Sequence, residues 1–267
     1  MSKSNLFWGF VLVLLGTLLL LNSVGLLSVN VWSLIGPLAL IAFGLWVLWG
    51  VFLGGPSAET EETTIPLEGA GRARVRIRHG AGRLHVDGSA GPGELATGTF
   101  GGGLDHRERR EGDTLDVEMR TPPRSFPFFM MPGWGLRGGL DWSLGLNTEI
   151  PLSLDLETGA SDAQLDLAEL RVTDLQLQTG ASATRLTLPA SAGHTRAEIH
   201  SGAASVSIRV PEGVAARMRI KSGLAGITVD RSRFPRTGDT YQSADYGTAP
   251  NKVDLEIETG VGSVDVR

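Results

Sequence analysis

The sequence feature that most constrains the fold is a short motif that the chain carries five times. A Thr-Gly or Ser-Gly pair follows a stretch of alternating apolar and polar residues, first at 154–161 and last at 255–262. The glycines of the five motifs are Gly159, Gly180, Gly202, Gly223 and Gly260. Their spacings are 21, 22, 21 and 37 residues, so the last is one period plus an insertion of about fifteen residues. A repeat of this length predicts an architecture in which each unit stacks on its neighbours.

Alternation on both sides of each glycine predicts β-strands. Leu154 and Leu156 precede Gly159, and Leu165 and Leu167 follow it at the same period of two, which puts apolar side chains on one face of a strand. The Thr/Ser-Gly pair predicts a turn, because glycine tolerates positive φ. The predicted turn residues are Thr158, Gly159, Thr179, Gly180, Ser201, Gly202, Ser222, Gly223, Thr259 and Gly260. We interpret the hydroxyls of the threonines and serines among them as a hydrogen-bonded ladder. We therefore predict an all-β repeat domain of stacked, solenoid-like rungs, with about 21–22 residues per repeat.

The charge distribution divides the chain into two parts. Its 267 residues include no cysteine and carry a formal net charge of −5, yet the first 54 residues contain one charged side chain, Lys3. The rest therefore carries 23 of the 24 basic residues and all 29 acidic ones. An acidic soluble part argues against nucleic acid as a partner, and an uncharged apolar start indicates a membrane part.

Two apolar runs predict a transmembrane hairpin of two helices. The spans cover about 6–22 and 31–53, and each is long enough to cross a bilayer. We predict a hairpin at 1–54, a polar linker at 55–66 and a β-repeat domain at 67–267, with an insertion at 230–251. Lys3 lies on the N-terminal side, so the positive-inside tendency favours a multi-pass protein of the cell membrane with a cytoplasmic soluble domain.

The first strand of the soluble part has a basic outer face. Alternating arginines at Arg72, Arg74, Arg76 and Arg78 follow shortly after the predicted membrane exit. One interpretation is contact with anionic lipid head groups. The other is an ordinary solvated strand face.

An apolar, proline-containing segment at 125–134 cannot form a regular helix or strand. Its aromatic side chains, Phe126, Phe128, Phe129 and Trp134, indicate a loop that enters the membrane interface or docks a partner. The alternative is a lid over the open end of the β-stack, whose first rung would otherwise expose its interior.

The motifs of common enzyme classes are absent from the sequence. It contains no G-x-S-x-G, no H-E-x-x-H and no phosphate loop ending in Gly-Lys. The five histidines are scattered without ligand spacing, and the glycine motifs lack the regular Asp of calcium-binding β-rolls. We therefore predict no catalytic residue, no metal site and no cofactor.

Two parts of the chain resemble known families. The runs at 7–22 and 31–46, beginning Phe-Trp-Gly-Phe-Val-Leu and Val-Trp-Ser-Leu-Ile-Gly-Pro, resemble the membrane hairpin of the LiaI/LiaF-like family. The stretch at 147–161, ending Leu-Asp-Leu-Glu-Thr-Gly-Ala-Ser, and Leu-Thr-Leu-Pro at 186–189 are similar to toast-rack or adhesin-like β-domains. Together the resemblances cover most of the chain.

The resemblance implies a non-enzymatic bacterial membrane protein that acts in the cell-envelope stress response. LiaF-like proteins modulate a two-component system, which implies a sensor histidine kinase or another membrane protein as partner. The motifs shared with the family are structural, so no functional residue is carried over from it. The alternative is an outward-facing structural or adhesin-like protein of the envelope. The sequence leaves the oligomeric state open.

Overall fold

The computed structural model describes residues 60–122 and 140–267, and these residues form β-strands joined by turns and loops. The strands are β1 (Thr60–Pro66), β2 (Arg72–Asp87), β3 (Glu94–Gly101), β4 (Asp105–Glu111), β5 (Thr114–Arg120), β6 (Trp142–Leu146), β7 (Leu152–Asp166), β8 (Val172–Thr187), β9 (His194–Arg209), β10 (Val214–Val229), β11 (Arg236–Thr237), β12 (Thr240–Gln242) and β13 (Asn251–Val266). The predicted all-β class is confirmed. The predicted spans 6–22 and 31–53 and the segment 125–134 lie outside the described residues.

Each glycine motif lies within one long strand, so the predicted turns are wrong. Strand β7 runs unbroken through Gly159, which does not have positive φ. The alternation of buried and exposed side chains shifts by one residue at this glycine. The even-numbered Leu152, Leu154 and Leu156 are buried before it, whereas the odd-numbered Ala163 and Leu165 are buried after it. Two consecutive outward residues at 159 and 160 form a corner, and both halves of the strand face the core.

The long strands stack in parallel with their glycines aligned. The order across the sheet is β2-β7-β8-β9-β13-β10, so the C-terminal strand lies between β9 and β10. The insertion predicted at 230–251, which includes β11 and β12, returns the chain to that position. The unequal spacing between Gly223 and Gly260 thus reflects a change in strand order, since β10 occupies the end of the stack.

Shorter strands continue the stack beyond β2. Strand β5 pairs with the first half of β2 and β6 pairs with its second half, so these two strands together occupy the place of one rung. Strand β4 extends the sheet from β5, while β3 and then β1 extend it from β6.

The linker predicted at 55–66 is wrong over its second half. Residues Thr60–Pro66 form β1, which pairs antiparallel with β3. The β-branched residues Thr63, Thr64 and Ile65 favour a strand, and the Ile65 side chain is buried in the core. Burial of this side chain therefore outweighs the polar composition of the segment.

Within residues 60–122 and 140–267, no helix is both long and apolar enough to cross a membrane.

Candidate functional site

An open groove of about 1040 Å³ follows the aligned corners of the stack. Its exposed floor consists of glycines from six adjacent strands, listed in spatial order as Gly80, Gly159, Gly180, Gly202, Gly260 and Gly223. Arg120 and Thr121 extend the lining beyond β2. Seven strand positions at about 4.8 Å spacing give a length of about 29 Å. We call this surface the glycine groove.

The glycines of the floor are required by the close approach of neighbouring strands. An added Cβ on Gly180 would lie 3.0 Å from the carbonyl oxygen of Gly159, and one on Gly159 would lie closer still to that of Gly80. Distances this short clash with backbone atoms that cannot rotate away. The motif therefore encodes a flat strip of exposed backbone, rather than a positive φ.

One wall of the groove is polar and its charges are paired. Its outward side chains, two residues before each glycine, are Arg78, Glu157, Gln178, His200, Glu258 and Lys221. Lys221 Nζ lies 2.7 Å from Glu258 Oε1, and Arg78 Nε lies 3.4 Å from Glu157 Oε2. His200 Nδ1 also lies 3.4 Å from Glu258 Oε2. The wall carries charges of both signs and has no large single-sign field.

The residues after the glycines form an apolar strip beside the groove. In spatial order they are Ala81, Ala160, Ala181, Ala203, Val261 and Leu224. The side chains become larger towards the end of the stack, where Val261 and Leu224 are 53% and 83% exposed. Exposed aliphatic groups next to exposed backbone are features that a protein partner can bind.

The hydroxyls of the motif do not form the predicted strand-to-strand hydrogen-bonded ladder. Thr179 bonds Ser182 within its own strand. The hydroxyls of Thr158, Ser201 and Thr259 are buried and have no hydrogen-bond partner among the described residues. They point into the stack, because the position before the glycine is the last inward-facing one in the alternation of the strand. These hydroxyls are therefore not positioned to react with a molecule in the groove.

His79 occupies the hydroxyl position in β2, at one end of the groove. Its side chain is 1% exposed, and Nε2–H donates a 2.6 Å hydrogen bond to the carbonyl oxygen of Leu140. Its ring centroid lies 5.3 Å from that of Trp142. Burial lowers the pKa of His79, and it outweighs the opposing effects of the Leu140 hydrogen bond and of Asp141.

The lowered pKa of His79 predicts a loss of stability on acidification. Below the ordinary histidine pKa of about 6.5, the unfolded chain binds a proton that the folded chain does not. The free energy of unfolding should therefore decrease as the pH falls from 7 to 5. His79→Thr, which introduces the residue of the equivalent position in β7, should reduce this dependence. Urea unfolding at several pH values measures it, and an unchanged pH profile for the variant would contradict the assignment.

The arginines of β2 are paired with carboxylates of both neighbouring strands. Arg74 Nη1 lies 3.2 Å from Asp116 Oδ1, and Arg76 Nε lies 3.0 Å from Asp155 Oδ2. Arg78 contacts Glu118 of β5 in addition to Glu157. The carboxylates of the neighbouring strands balance the arginine charges, so the basic stripe does not need an anionic lipid surface as its partner. This favours an ordinary solvated strand face over lipid contact. Arg72 is exposed at the start of β2. The other predicted contact residues, Phe126, Phe128, Phe129 and Trp134, lie outside the described residues.

A second cleft, of about 920 Å³, lies between the outer face of the sheet and the segment that carries β12. Asp254 is one of its lining residues and accepts hydrogen bonds from Arg217 (2.8 Å), His194 (2.7 Å) and the Tyr246 hydroxyl (2.7 Å). Burial raises the pKa of Asp254, but the three hydrogen bonds outweigh it and bring the pKa to about 2. Burial and Asp254 together raise the pKa of Tyr246 to about 12.

The Asp254 carboxylate should stabilise the fold at pH values above the pKa that this group has in the unfolded chain. The lowered pKa corresponds to roughly 2 kcal/mol, present above pH 4 and lost as the pH falls towards 2. Asp254→Asn should therefore unfold at lower urea concentration than wild type at pH 7, with a difference that shrinks below pH 4. Asp265→Asn is the control, because the Asp265 carboxylate pairs with Arg267 alone among the described residues. Equal effects of the two substitutions would contradict the network.

The described residues contain no cluster of three or more His, Asp or Glu side chains that is able to hold a metal ion. Sequence reasoning identified the glycines and hydroxyls of the motif, but it missed the polar wall and the apolar strip. The signal for both was available: the outward positions two before and one after each glycine align in every repeat.

The chain is similar to a known protein family and to solved structures. A family profile described as the N-terminal domain of toast_rack (DUF2154) matches residues 54–209. The crystal structure of a candidate cell adhesion protein from Clostridium sporogenes ATCC 15579 superposes with a TM-score of 0.68 at 18% identity, covering 79% of this chain and 99% of that chain. A candidate adhesin from Bacteroides fragilis NCTC 9343 gives a TM-score of 0.32 at 8% identity, covering 80% and 99%. No curated protein matches the chain.

Proposed function

The chain belongs to the toast_rack N-terminal domain family, and we propose that it is a membrane-anchored, non-enzymatic regulator or sensor of the bacterial cell envelope. In this proposal the N-terminal hairpin holds the protein in the membrane, and the β-stack presents a rigid surface to a protein partner. The LiaF-like role, modulation of a two-component system, makes a sensor histidine kinase the expected partner.

The observation that carries this proposal is the glycine groove. Its floor exposes glycine backbone along six adjacent strands, and its apolar strip adds exposed aliphatic surface. A long, flat surface of this kind suits an extended segment of another protein, because backbone and small side chains allow close approach. Paired charges on the wall suit a partner of low net charge better than an anionic polymer.

The chemistry around the groove favours binding over catalysis. The hydroxyls of Thr158, Ser201 and Thr259 are buried beneath the floor, and the Nε2–H of His79 is engaged with a backbone carbonyl. A nucleophile needs a base within hydrogen-bond reach and access to its substrate, and the hydroxyls of Thr158 and Ser201 have neither in the described part of the chain.

The second candidate function is an outward-facing structural or adhesin-like protein of the envelope. The shared fold with the candidate cell adhesion protein of Clostridium sporogenes favours it. The two functions differ in the side of the membrane on which the β-domain lies. The regulator requires a cytoplasmic domain in contact with a kinase, whereas the adhesin-like protein requires exposure outside the cell.

A single introduced cysteine distinguishes the two functions, because the chain has no native cysteine. Ala181→Cys places a thiol at an exposed position of the apolar strip. A membrane-impermeant maleimide is applied to intact cells and to lysed cells. Labelling after lysis alone is expected and supports the regulator. Labelling of intact cells would overturn the cytoplasmic arrangement and favour the adhesin-like function.

A further inference from the structure

The end strand β10 leaves an unpaired edge over its second half. Strand β12 pairs with β10 at 217–219 only, and β13 lies along the other edge of β10. From Ile220 to Val229 no described strand covers the free edge. Among the described residues, the backbone groups of this stretch that point away from β13 have no strand partner, which leaves them able to pair with another strand.

Exposed aliphatic side chains cluster at this edge. Among the described residues, the large hydrophobic side chains that are exposed are Leu224 at 83%, Ile227 at 38% and Val261 at 53%, all on the last two strands of the stack. Ile227 aligns with the buried Val264 and Val206 of β13 and β9. It points inward and is exposed because no further rung follows β10 in the described part of the chain.

The free edge of β10 lacks the protection that other free edges in the described part of the chain carry. Ser222–Val229 contains no charge and no proline. In contrast, β4 places Glu108 and Arg110 on the same face as the buried Val117 and Leu115. Inward-pointing charges of this kind prevent edge-to-edge pairing. Strand β1 likewise carries Glu61, Glu62 and Pro66, and β11 has two residues.

We propose that the free edge of β10 pairs antiparallel with the same edge of a second copy of this chain. A strand that fits must be uncharged over about eight residues and must offer an unpaired backbone. Among the free edges just described, β10 itself meets both requirements. The pairing is isologous, and the charged edges at the other end of the stack cannot extend it, so it produces a closed dimer rather than a fibre.

A two-fold axis at Gly226 brings compatible side chains together. It pairs Leu224 with Thr228 on the outward face, and Ala225 with Ile227 on the inward face, so larger groups oppose smaller ones. The inward pair repeats the aliphatic contacts between internal rungs of the stack. The backbone at Gly226 is open, since an added Cβ would meet no atom within 4 Å.

Cysteine cross-linking of the full chain tests this dimer. Opposed residues of an antiparallel pair lie about 4.5–5.5 Å apart, a distance that a disulfide bridges. Gly226→Cys, oxidised in membranes, should give a species of twice the chain mass in about ten-fold higher yield than Arg109→Cys. Arg109 is the control because it is 79% exposed on the charged strand β4.

A charge at the edge should separate the two copies. Adding Ile227→Lys to Gly226→Cys should reduce the cross-linked yield to the control level. Adding Ser207→Lys, which places the same charge on an exposed position of the internal strand β9, should leave the yield unchanged. Thermal unfolding verifies that both lysine variants are folded. Equal yields from Gly226→Cys and Arg109→Cys, or a cross-link that survives Ile227→Lys, would overturn the proposal.

Discussion

Replacing Gly159 by alanine is expected to lower the free energy of unfolding by about 3 kcal/mol or more. The added Cβ would lie closer than 3.0 Å to the carbonyl oxygen of Gly80, and a backbone atom in a parallel stack cannot rotate away. For a domain of this size the loss corresponds to a melting temperature lower by about 6–12 °C. Thermal unfolding of the full chain measures it.

Substitutions at two other glycines, where an added Cβ has more room, provide a comparison for Gly159→Ala. At Gly180 the corresponding distance is 3.0 Å, so Gly180→Ala should have an intermediate effect, and Gly180→Val should destabilise the domain by steric clash. Gly226→Ala meets no atom within 4 Å and should be neutral or stabilising by up to about 1 kcal/mol. Equal stability of the Gly159→Ala and Gly226→Ala variants would contradict the close packing of the corners.

Replacing Trp142 by alanine should lower the free energy of unfolding by about 3–5 kcal/mol. Trp142 is among the largest fully buried side chains of the described core, and its ring meets Phe100 edge-on at a centroid distance of 5.0 Å. Strand β6, which carries it, occupies half of the rung next to β2. The cavity left by alanine would therefore open the core at this end of the stack.

Trp142→Phe is the control for this cavity. Phenylalanine retains an aromatic ring beside Phe100, and it removes the indole N–H, which is buried without a hydrogen-bond partner in the described part of the chain. Its expected cost is about 1 kcal/mol. Urea unfolding compares the two variants. A cost below about 1 kcal/mol for Trp142→Ala would contradict a tightly packed end of the stack.

The core of the repeats could be predicted from the sequence, but the path of the backbone through the motif could not. Alternation at Leu154, Leu156 and Leu165 identified the buried positions correctly. Leu156 and Leu165 are nine residues apart, an odd number, so a straight strand would put them on opposite faces. A turn and a corner both restore the phase, and the sequence does not distinguish them.

The order of the last two long strands was also beyond sequence reasoning. Both β10 and β13 carry the same motif, so either could occupy the end of the stack. Ile227 follows the alternation of core residues after the motif glycine. It is 38% exposed because the chain inserts β13 between β9 and β10, which leaves β10 at the end of the stack. The position of β13 in the stack depends on the path of the preceding segment at 230–251. That segment has no periodic pattern from which its path could be predicted.

The basic stripe of β2 was visible in the sequence, but its ion pairs could not be predicted. The carboxylate partners come from β5 and β7, which are far away in the sequence. Cross-strand neighbours of parallel strands depend on the stacking order. For this reason the sequence left both lipid contact and a solvated strand face open, whereas the structure shows the arginines in ion pairs.

Co-purification with groove variants tests most directly whether the glycine groove is the partner-binding surface. Gln178→Trp fills the middle of the groove, whereas Gln176→Trp puts the same group on the same face of β8, outside the lining. The tagged full chain is solubilised from membranes in detergent, and the sensor kinase recovered with it is quantified by mass spectrometry. We expect equal recovery with wild type and Gln176→Trp, and about ten-fold less with Gln178→Trp, a loss of about 1.4 kcal/mol. Equal recovery with both variants, or no kinase with wild type, would contradict this account.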